Sequence, residues 1–353
     1  MRKHLFLILG LLLHSGIYAE DVTTYTPGAD EGIVYFLPKT GIEVNAIVTK
    51  EVYTPGEFCQ YAKRYLRLND IETKAKTSWA LKAVEVKAIA IPDSTKAFII
   101  KSKDRSLLSN VQLTHNGIIK AINANEIKTD QNKQGCMLEK KLPTEDGKKY
   151  LTEEILMAGS SAKMAELVAK EIYNIRESRN LILRGQVDAM PKDQGSLELV
   201  INNLNKQEKA LLQMFSGTVS KEDKAFKVTV MPKVNMQNEI IFRFSKRLGM
   251  LDQDDLAGEP IYFSMKDITP TQTKSLTKEE KKKGLEGAIY NVPGIGKVSV
   301  SYQGKNLIIQ DFSIAQFGTT ESLPYALFNK KFETRITFNP LTGGIVKIEK
   351  EDR

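Results

Sequence analysis

SAKMAELVAKEIYNIRESRNLILRG, residues 161–185, and QGSLELVINNLNKQEKALLQMFSG, residues 194–217, decide how this chain is read. In the first stretch Met164, Leu167, Val168, Ile172, Ile175 and Ile182 recur at the spacing of one helix face. Arg184 and Gly185 supply a basic last turn and a glycine cap, and Ser160 or Ser161 caps the other end. In the second stretch Leu197, Val200, Ile201, Leu204, Leu211, Leu212 and Phe215 form a similar stripe. A turn at Pro191–Gly195 separates the two. Two amphipathic helices with a connection of about ten residues predict an antiparallel αα-hairpin within 151–216.

On both sides of that hairpin the period changes from that of a helix to that of a strand. Residues 32–37 and 41–53 alternate apolar and polar and are broken by Pro38-Lys39-Thr40-Gly41, so they read as two strands. Thr54-Pro55-Gly56-Glu57 has the form of a capping box with proline at the first helical position, and Phe58, Ala62, Tyr65 and Leu66 share one face of the helix it would start. Residues 77–91 and 96–101 read as further strands, and 107–113 and 118–124 as a hairpin turning at Thr114-His115-Asn116-Gly117. Residues 125–150 are polar and lysine-rich, as in a linker. Beyond the hairpin, strands are expected at 224–231, 238–245, 259–266, 286–291, 297–303, 306–315, 330–338 and 344–349, with 268–285 as a polar excursion. The expected fold class is therefore α+β: a β-rich domain with one helix over 20–150, a helical hairpin over 151–216, and a sandwich-like antiparallel β domain over 217–353.

The first nineteen residues set the expected address. Arg2, Lys3 and His4 precede an apolar run from Leu5 to Leu13, and small residues follow up to Ala19. That is the layout of a secretory signal peptide cut after Ala19, which predicts an exported protein of the periplasm or cell surface. No later apolar run reaches the roughly 18 to 20 residues of a membrane span, so no transmembrane segment is expected in the mature chain. The formal charge is +8; without Arg2 and Lys3, 49 basic residues stand against 43 acidic ones, a net of +6. The lysines are scattered except at Lys281–Lys283, so the charge reads as a solvated surface and nucleic acid is not an expected partner.

The chemistry-bearing residues are few. His115 is the single histidine left once the leader is removed, and it sits in a hairpin turn, so no Ser-His-Asp or Cys-His arrangement is indicated. Cys59 and Cys136 are the two cysteines; an oxidising compartment predicts a bridge between them, with an inert buried thiol as the alternative. No cluster has metal-ligand spacing, and neither a metal nor a cofactor is expected. Ser160-Ser161-Ala162-Lys163 matches an S-x-x-K, yet the accompanying Lys39-Thr40-Gly41 precedes it, in the wrong order for a penicillin-recognising enzyme. Pro293-Gly294-Ile295-Gly296 precedes a strand and reads as a turn between strands, unlike a phosphate loop. Carboxylates are plentiful enough that a glycan hydrolase working through two of them stands as an alternative.

One charged residue is out of place. Glu208 falls on the apolar stripe through Leu204 and Leu211, where an unpaired carboxylate costs on the order of several kcal/mol. In an antiparallel hairpin turning near residue 190, position 208 lies opposite about 172, one turn from Arg176. Glu208 is therefore expected to pair with Arg176, with Glu177 and Arg179 ordering the surroundings, as a network that sets helix register or as a ligand site.

A set of unusual residues recurs along the chain at fixed spacing. It comprises Ala165-Glu166, Ile172–Arg179, Gly185, Pro191, Asp193, Gln207-Glu208, Leu211 and Phe215-Ser216-Gly217-Thr218, then Tyr290 with Pro293, Ala315-Gln316-Phe317-Gly318, Leu323-Pro324, and Phe338-Asn339-Pro340-Leu341-Thr342-Gly343. Together these resemble a family of exported proteins of Bacteroides-type bacteria that carries only a domain-of-unknown-function label. Asn291 follows Tyr290 where that pattern has Arg, and Gln194 intervenes where it has Asp-Gly. The resemblance implies a Gram-negative envelope setting and brings no activity, cofactor or catalytic residue. The expected function is non-catalytic, an interaction or structural role towards an envelope protein or glycan. The alternatives are the carboxylate-dependent hydrolase and a binding protein for an anionic envelope glycan or lipid.

Overall fold

The computed structural model describes residues 32–100, 110–124, 145–187, 193–270, 288–323 and 332–352. Strand β1 (Ile33–Thr54) organises them. It is rich in Val and Ile, and its buried side chains alternate through Ile42, Val44, Ala46 and Val48, as on a sheet with one face against a core. The break expected at Pro38 is absent, and so is the one between 91 and 96: β2 (Lys76–Ile100) runs unbroken beside β1. The register shows why. Pro38 stands opposite Pro92, so the two residues that lack an N–H face each other beside a bulge, and the ladder continues on both sides.

The strands form three antiparallel sheets. The first has the order β2-β1-β5, with β5 spanning Thr218–Val230. The second joins β6 (Met236–Ser245), β7 (Gly249–Leu251), β8 (Glu259–Asp267), β9 (Ala288–Tyr302) and β10 (Lys305–Leu323) in the order β10-β9-β8-β6-β7. The third places β3 (Val111–Leu113) and β4 (Ile119–Ile122) beside β11 (Phe332–Phe338) and β12 (Ile345–Asp352). Segments 20–150 and 217–353 thus contribute to common sheets: β5 pairs with β1, and β4 pairs with β11. Residues 293–296, expected as a turn, lie inside β9, because β10 follows β9 past them with a bulge between Ile314 and Thr319.

Two cores flank β1. Ile42, Val44 and Val48 pack with Trp79 and Phe226 against Phe263, Val298, Val300 and Ile314 of the second sheet, which makes a sandwich. Tyr35 and Leu37, near the start of β1, pack with Phe98, Ile119, Ile122, Ile289, Ile336 and Phe338. Each such fully buried side chain contributes about 1.5–3 kcal/mol. At the hairpin between β3 and β4, Thr114 N donates to Ile118 O and Gly117 takes a positive φ, while Asn116 does not.

The third core is helical. A 3-10 turn at Cys59–Tyr61 leads into α1 (Ala62–Leu66); α2 (Glu153–Leu156), α3 (Ser161–Leu183) and α4 (Gln194–Ser216) follow. The capping box at 54–57 does not form. Thr54 is still paired with Thr218 in the sheet, and the chain then turns so that Phe58 N donates to Met214 O at 2.8 Å. Phe58, Ala62 and Leu66 nonetheless share one buried face, against Val168, Ile172, Leu211 and Phe215. Among the described residues no helix is long and apolar enough to cross a membrane. The fold is α+β, with antiparallel sheets predominating.

Candidate functional site

The helical hairpin is anchored at both of its N-termini by side-chain caps. Ser160 Oγ accepts from Lys163 N at 3.2 Å, and Asp193 Oδ1 accepts from Ser196 N at 2.8 Å. The bonds from Ser196 hold the Asp193 carboxyl below its usual value. The far end of α3 closes as expected, with Gln186 N on Leu181 O and Gly185 in the left-handed conformation. The S-x-x-K carries no activated nucleophile. Ser160 is spent on the cap, and Lys163 is paired with Glu166 at 2.9 Å, whose hydrogen bond and charge raise the lysine and keep it protonated.

Between α3 and α4 the structure brings together Arg176, Arg179 and Glu208. Glu208 is 8% exposed. Its Oε1 accepts from Arg176 Nε at 2.6 Å and its Oε2 from Arg179 Nη1 at 2.5 Å. Burial pushes the carboxyl up, but the hydrogen bonds from Arg176 and Arg179 and their positive charges outweigh burial and hold it below the usual carboxylate value. Arg179 Nη1 also donates to Asn205 Oδ1 at 2.8 Å, and the Arg176 guanidinium lies 5.6 Å from the Tyr173 ring. Glu177 is exposed and pairs with neither arginine.

Glu208 also lines a groove of about 500 Å³. One wall is a single face of α4: Asn205, Glu208, Lys209, Leu212, Gln213 and Ser216. The other is the start of β5, from Gly217 to Val219. The crossing between helix and strand depends on Gly217. Its φ is +76°, and a Cβ there would lie 2.4 Å from Thr54 O and 2.8 Å from the Tyr53 ring. The Tyr53 hydroxyl reaches the carbonyls of Ser216 at 3.0 Å and Glu72 at 2.8 Å, which ties the groove to the end of β1.

The remaining sequence candidates lie elsewhere. His115 is exposed at the β3–β4 turn. Cys59 is half-buried in the 3-10 turn, and Cys136 lies outside the described residues, as do residues 1–19, expected as a signal peptide, and Lys281–Lys283. Among the described residues no group of His, Cys, Asp and Glu side chains is placed to hold a metal ion. Sequence reasoning missed Asn205, Lys209, Gln213, Thr218 and Val219. Their signal was a polar stripe at helical spacing beside Glu208, but its significance depends on β5 arriving opposite.

It also missed a second polar cluster, which is buried. β5 stops at Val230, opposite Ile42, and leaves the edge of β1 open beyond it. Gln316, in the bulge of β10, fills the gap: its Oε1 accepts from Thr40 N and its Nε2 donates to Thr40 O, both at 2.9 Å. Thr40 Oγ1 donates to Leu341 O and accepts from Ala315 N, both at 3.0 Å. Asn291 Nδ2 donates to Pro38 O at 3.2 Å and Thr342 O at 2.8 Å. Phe36 N then donates to Gly117 O at 2.9 Å. Two side-chain amides thus carry the pairing of β1 from β5 across to the β3–β4 hairpin. Residue 291, where the resembling pattern has Arg, is 1% exposed and belongs to this cluster rather than to an open surface.

The chain belongs to the family described as domain of unknown function DUF4831, whose family model matches residues 31–346. No curated protein and no solved structure matches it.

Proposed function

We propose that this member of the DUF4831 family is a non-catalytic, exported envelope protein whose helical hairpin carries a binding site for an envelope component. One observation carries the reading: Glu208, the carboxylate lining the groove, is neutralised by two guanidinium groups and held ionised. A general acid needs a raised pKa, and a nucleophilic carboxylate needs a second one about 5–10 Å away. Glu208 has the opposite shift, and the lining supplies no second acid. The site is therefore suited to holding a ligand in place rather than to moving a proton. Export rests on the basic start and the apolar run of residues 5–13. The Gram-negative setting rests on the resemblance alone.

The test uses the mature chain and isolated cell-envelope glycan. The protein is expected to co-sediment with the glycan and to release no soluble reducing ends on long incubation. Release of reducing ends that is lost in Glu208→Gln would replace this reading with the hydrolase.

A further inference from the structure

The sheet β2-β1-β5 has two outer edges, and they are built differently. β5 carries Lys221, Glu222, Asp223, Lys224 and Lys227, charged side chains of the kind that discourage a further strand from adding to an edge. β2 reads AVEVKAIAI over 83–91, with Glu85 and Lys87 as its charges. Near the start of β2, Trp79 N donates to Lys246 O at 2.8 Å. Past that bond, among the described residues, no strand pairs with the outer edge of β2. Leu81, Val84, Val86 and Ala88 pack on the sandwich core yet stay only half-buried, as in a sheet that stops one strand short. The charges are also unevenly shared. Glu43 has two lysines, Lys87 at 3.0 Å and Lys227 at 3.7 Å. Glu85 pairs with no cation among the described residues and accepts only a long bond, 3.5 Å, from Asn45 Nδ2.

A second copy of the chain supplies a strand that fits this edge. Two identical antiparallel strands in one sheet are related by a two-fold axis perpendicular to it, which keeps every side chain on its own face. The axis must therefore pass through a residue, and few choices exist along 84–88. Through Glu85 or Lys87 it sets like charges face to face, which is unfavourable. Through Val84 or Ala88 it sets Glu85 against Ala83 or Lys87 against Ile89. Through Val86 it sets Glu85 against Lys87 twice, Val86 against itself, Val84 against Ala88 and Ala83 against Ile89. That register matches charge with charge and apolar with apolar on both faces. We propose that the chain forms a two-fold dimer through the outer edges of β2, paired about Val86. Glu85 gains a lysine and fixes the register, and the half-buried Val84, Val86 and Ala88 are covered.

Sedimentation velocity of the mature chain over a concentration series tests this. A reversible dimer with a Kd on the order of micromolar to tens of micromolar is expected, because two paired edges make a small interface. Glu85→Lys and Lys87→Glu each turn both attractive pairs into repulsive ones, and each is expected to weaken the dimer about tenfold. Mixed in equal amounts, the two variants are complementary again and are expected to associate about as tightly as the native chain. Facing Cα atoms in an antiparallel pair lie about 4.5–5.5 Å apart, within the reach of a disulfide. Val86→Cys is therefore expected to give a cross-linked dimer on mild oxidation, and Val84→Cys is not. Far-UV circular dichroism and Trp79 fluorescence check that each variant is folded. A native chain still monomeric at about 100 µM would overturn the dimer. Folded single variants that dimerise like the native chain, or a mixture that stays monomeric, would overturn the pairing of Glu85 with Lys87. Cross-linking of Val84→Cys as complete as that of Val86→Cys would overturn the register.

Discussion

Replacing Arg176 and Arg179 together by Met isolates a buried charge. Glu208 is 8% exposed and sits on the stripe between Leu204 and Leu211. Each arginine alone is worth about 1–1.5 kcal/mol, because both are partly solvated and the remaining partner still holds the carboxylate. Removing both leaves the carboxylate without a counter-ion, and the loss is expected to reach about 3–5 kcal/mol, more than the two single losses together. Adding Glu208→Leu to that double variant removes the stranded charge and is expected to recover at least about 2 kcal/mol. The pH dependence reverses as well. In the native chain the Glu208 pKa is depressed, so its contribution is present above the unfolded value of about 4.3 and is lost as pH falls through the lower folded value. In the double variant burial acts alone and raises the pKa, so the penalty is relieved as pH falls from neutrality towards the unfolded value. Urea titrations followed by helical circular dichroism report the hairpin, and fluorescence of Trp79, the single tryptophan, reports the sandwich. A double variant within about 1 kcal/mol of the native chain, or a triple variant no more stable than the double, would refute the pairing energetics.

Gln316→Ala leaves Thr40 N and O buried without partners and is expected to cost about 2–3 kcal/mol in a chemical denaturation followed by Trp79; a loss under about 0.5 kcal/mol would show that the side-chain bridge is dispensable. Gly318→Ala places a Cβ 1.7 Å from Val292 O, so this variant is expected to yield little soluble folded protein, whereas Gly304→Ala, next to open space but at positive φ, is expected to fold with a modest loss. Asp93 is raised by burial, but hydrogen bonds from Thr95 and the charge of Lys39 bring it below the usual value; its contribution is therefore present above about pH 3.9 and lost below, and Asp93→Asn should flatten the acid limb of a stability–pH profile. His115→Ala is expected to change stability by less than about 0.5 kcal/mol and to leave glycan co-sedimentation unaltered, and a loss of either would give the turn a role that its exposure does not suggest.

Local pattern carried much of this protein. The helical period at 161–185 and 194–217 marks α3 and α4 nearly to their ends, because an amphipathic helix writes its buried face into consecutive residues. Glu208 was legible for the same reason: a charge on an apolar stripe calls for a partner, and hairpin geometry limits where that partner can be. Arg179 proved an equal partner to Arg176, a distinction that depends on rotamers and not on spacing. Strand alternation at 41–53 and 77–91 was equally visible, but the interruptions at Pro38 and Pro92 were misleading. A proline breaks a ladder only where its N–H is required, and here each faces the other.

The sequence by itself therefore marked the two long helices and most of the strand segments, the αα-hairpin, the class α+β and the charge that needed pairing. Only the tertiary structure decided which strands are neighbours. Alternation says that a segment is a strand and which face is buried, yet it is silent on its partner, since the backbone donors and acceptors of all strands are alike. So β1 to β5 and β4 to β11, pairings between residues far apart in the chain, were not legible. The capping box at 54–57 lost to the same non-local force, because sheet pairing held Thr54 extended against Thr218. The groove follows from that pairing too: it exists because β5 leaves Gly217 to join β1 and passes beside the polar stripe of α4.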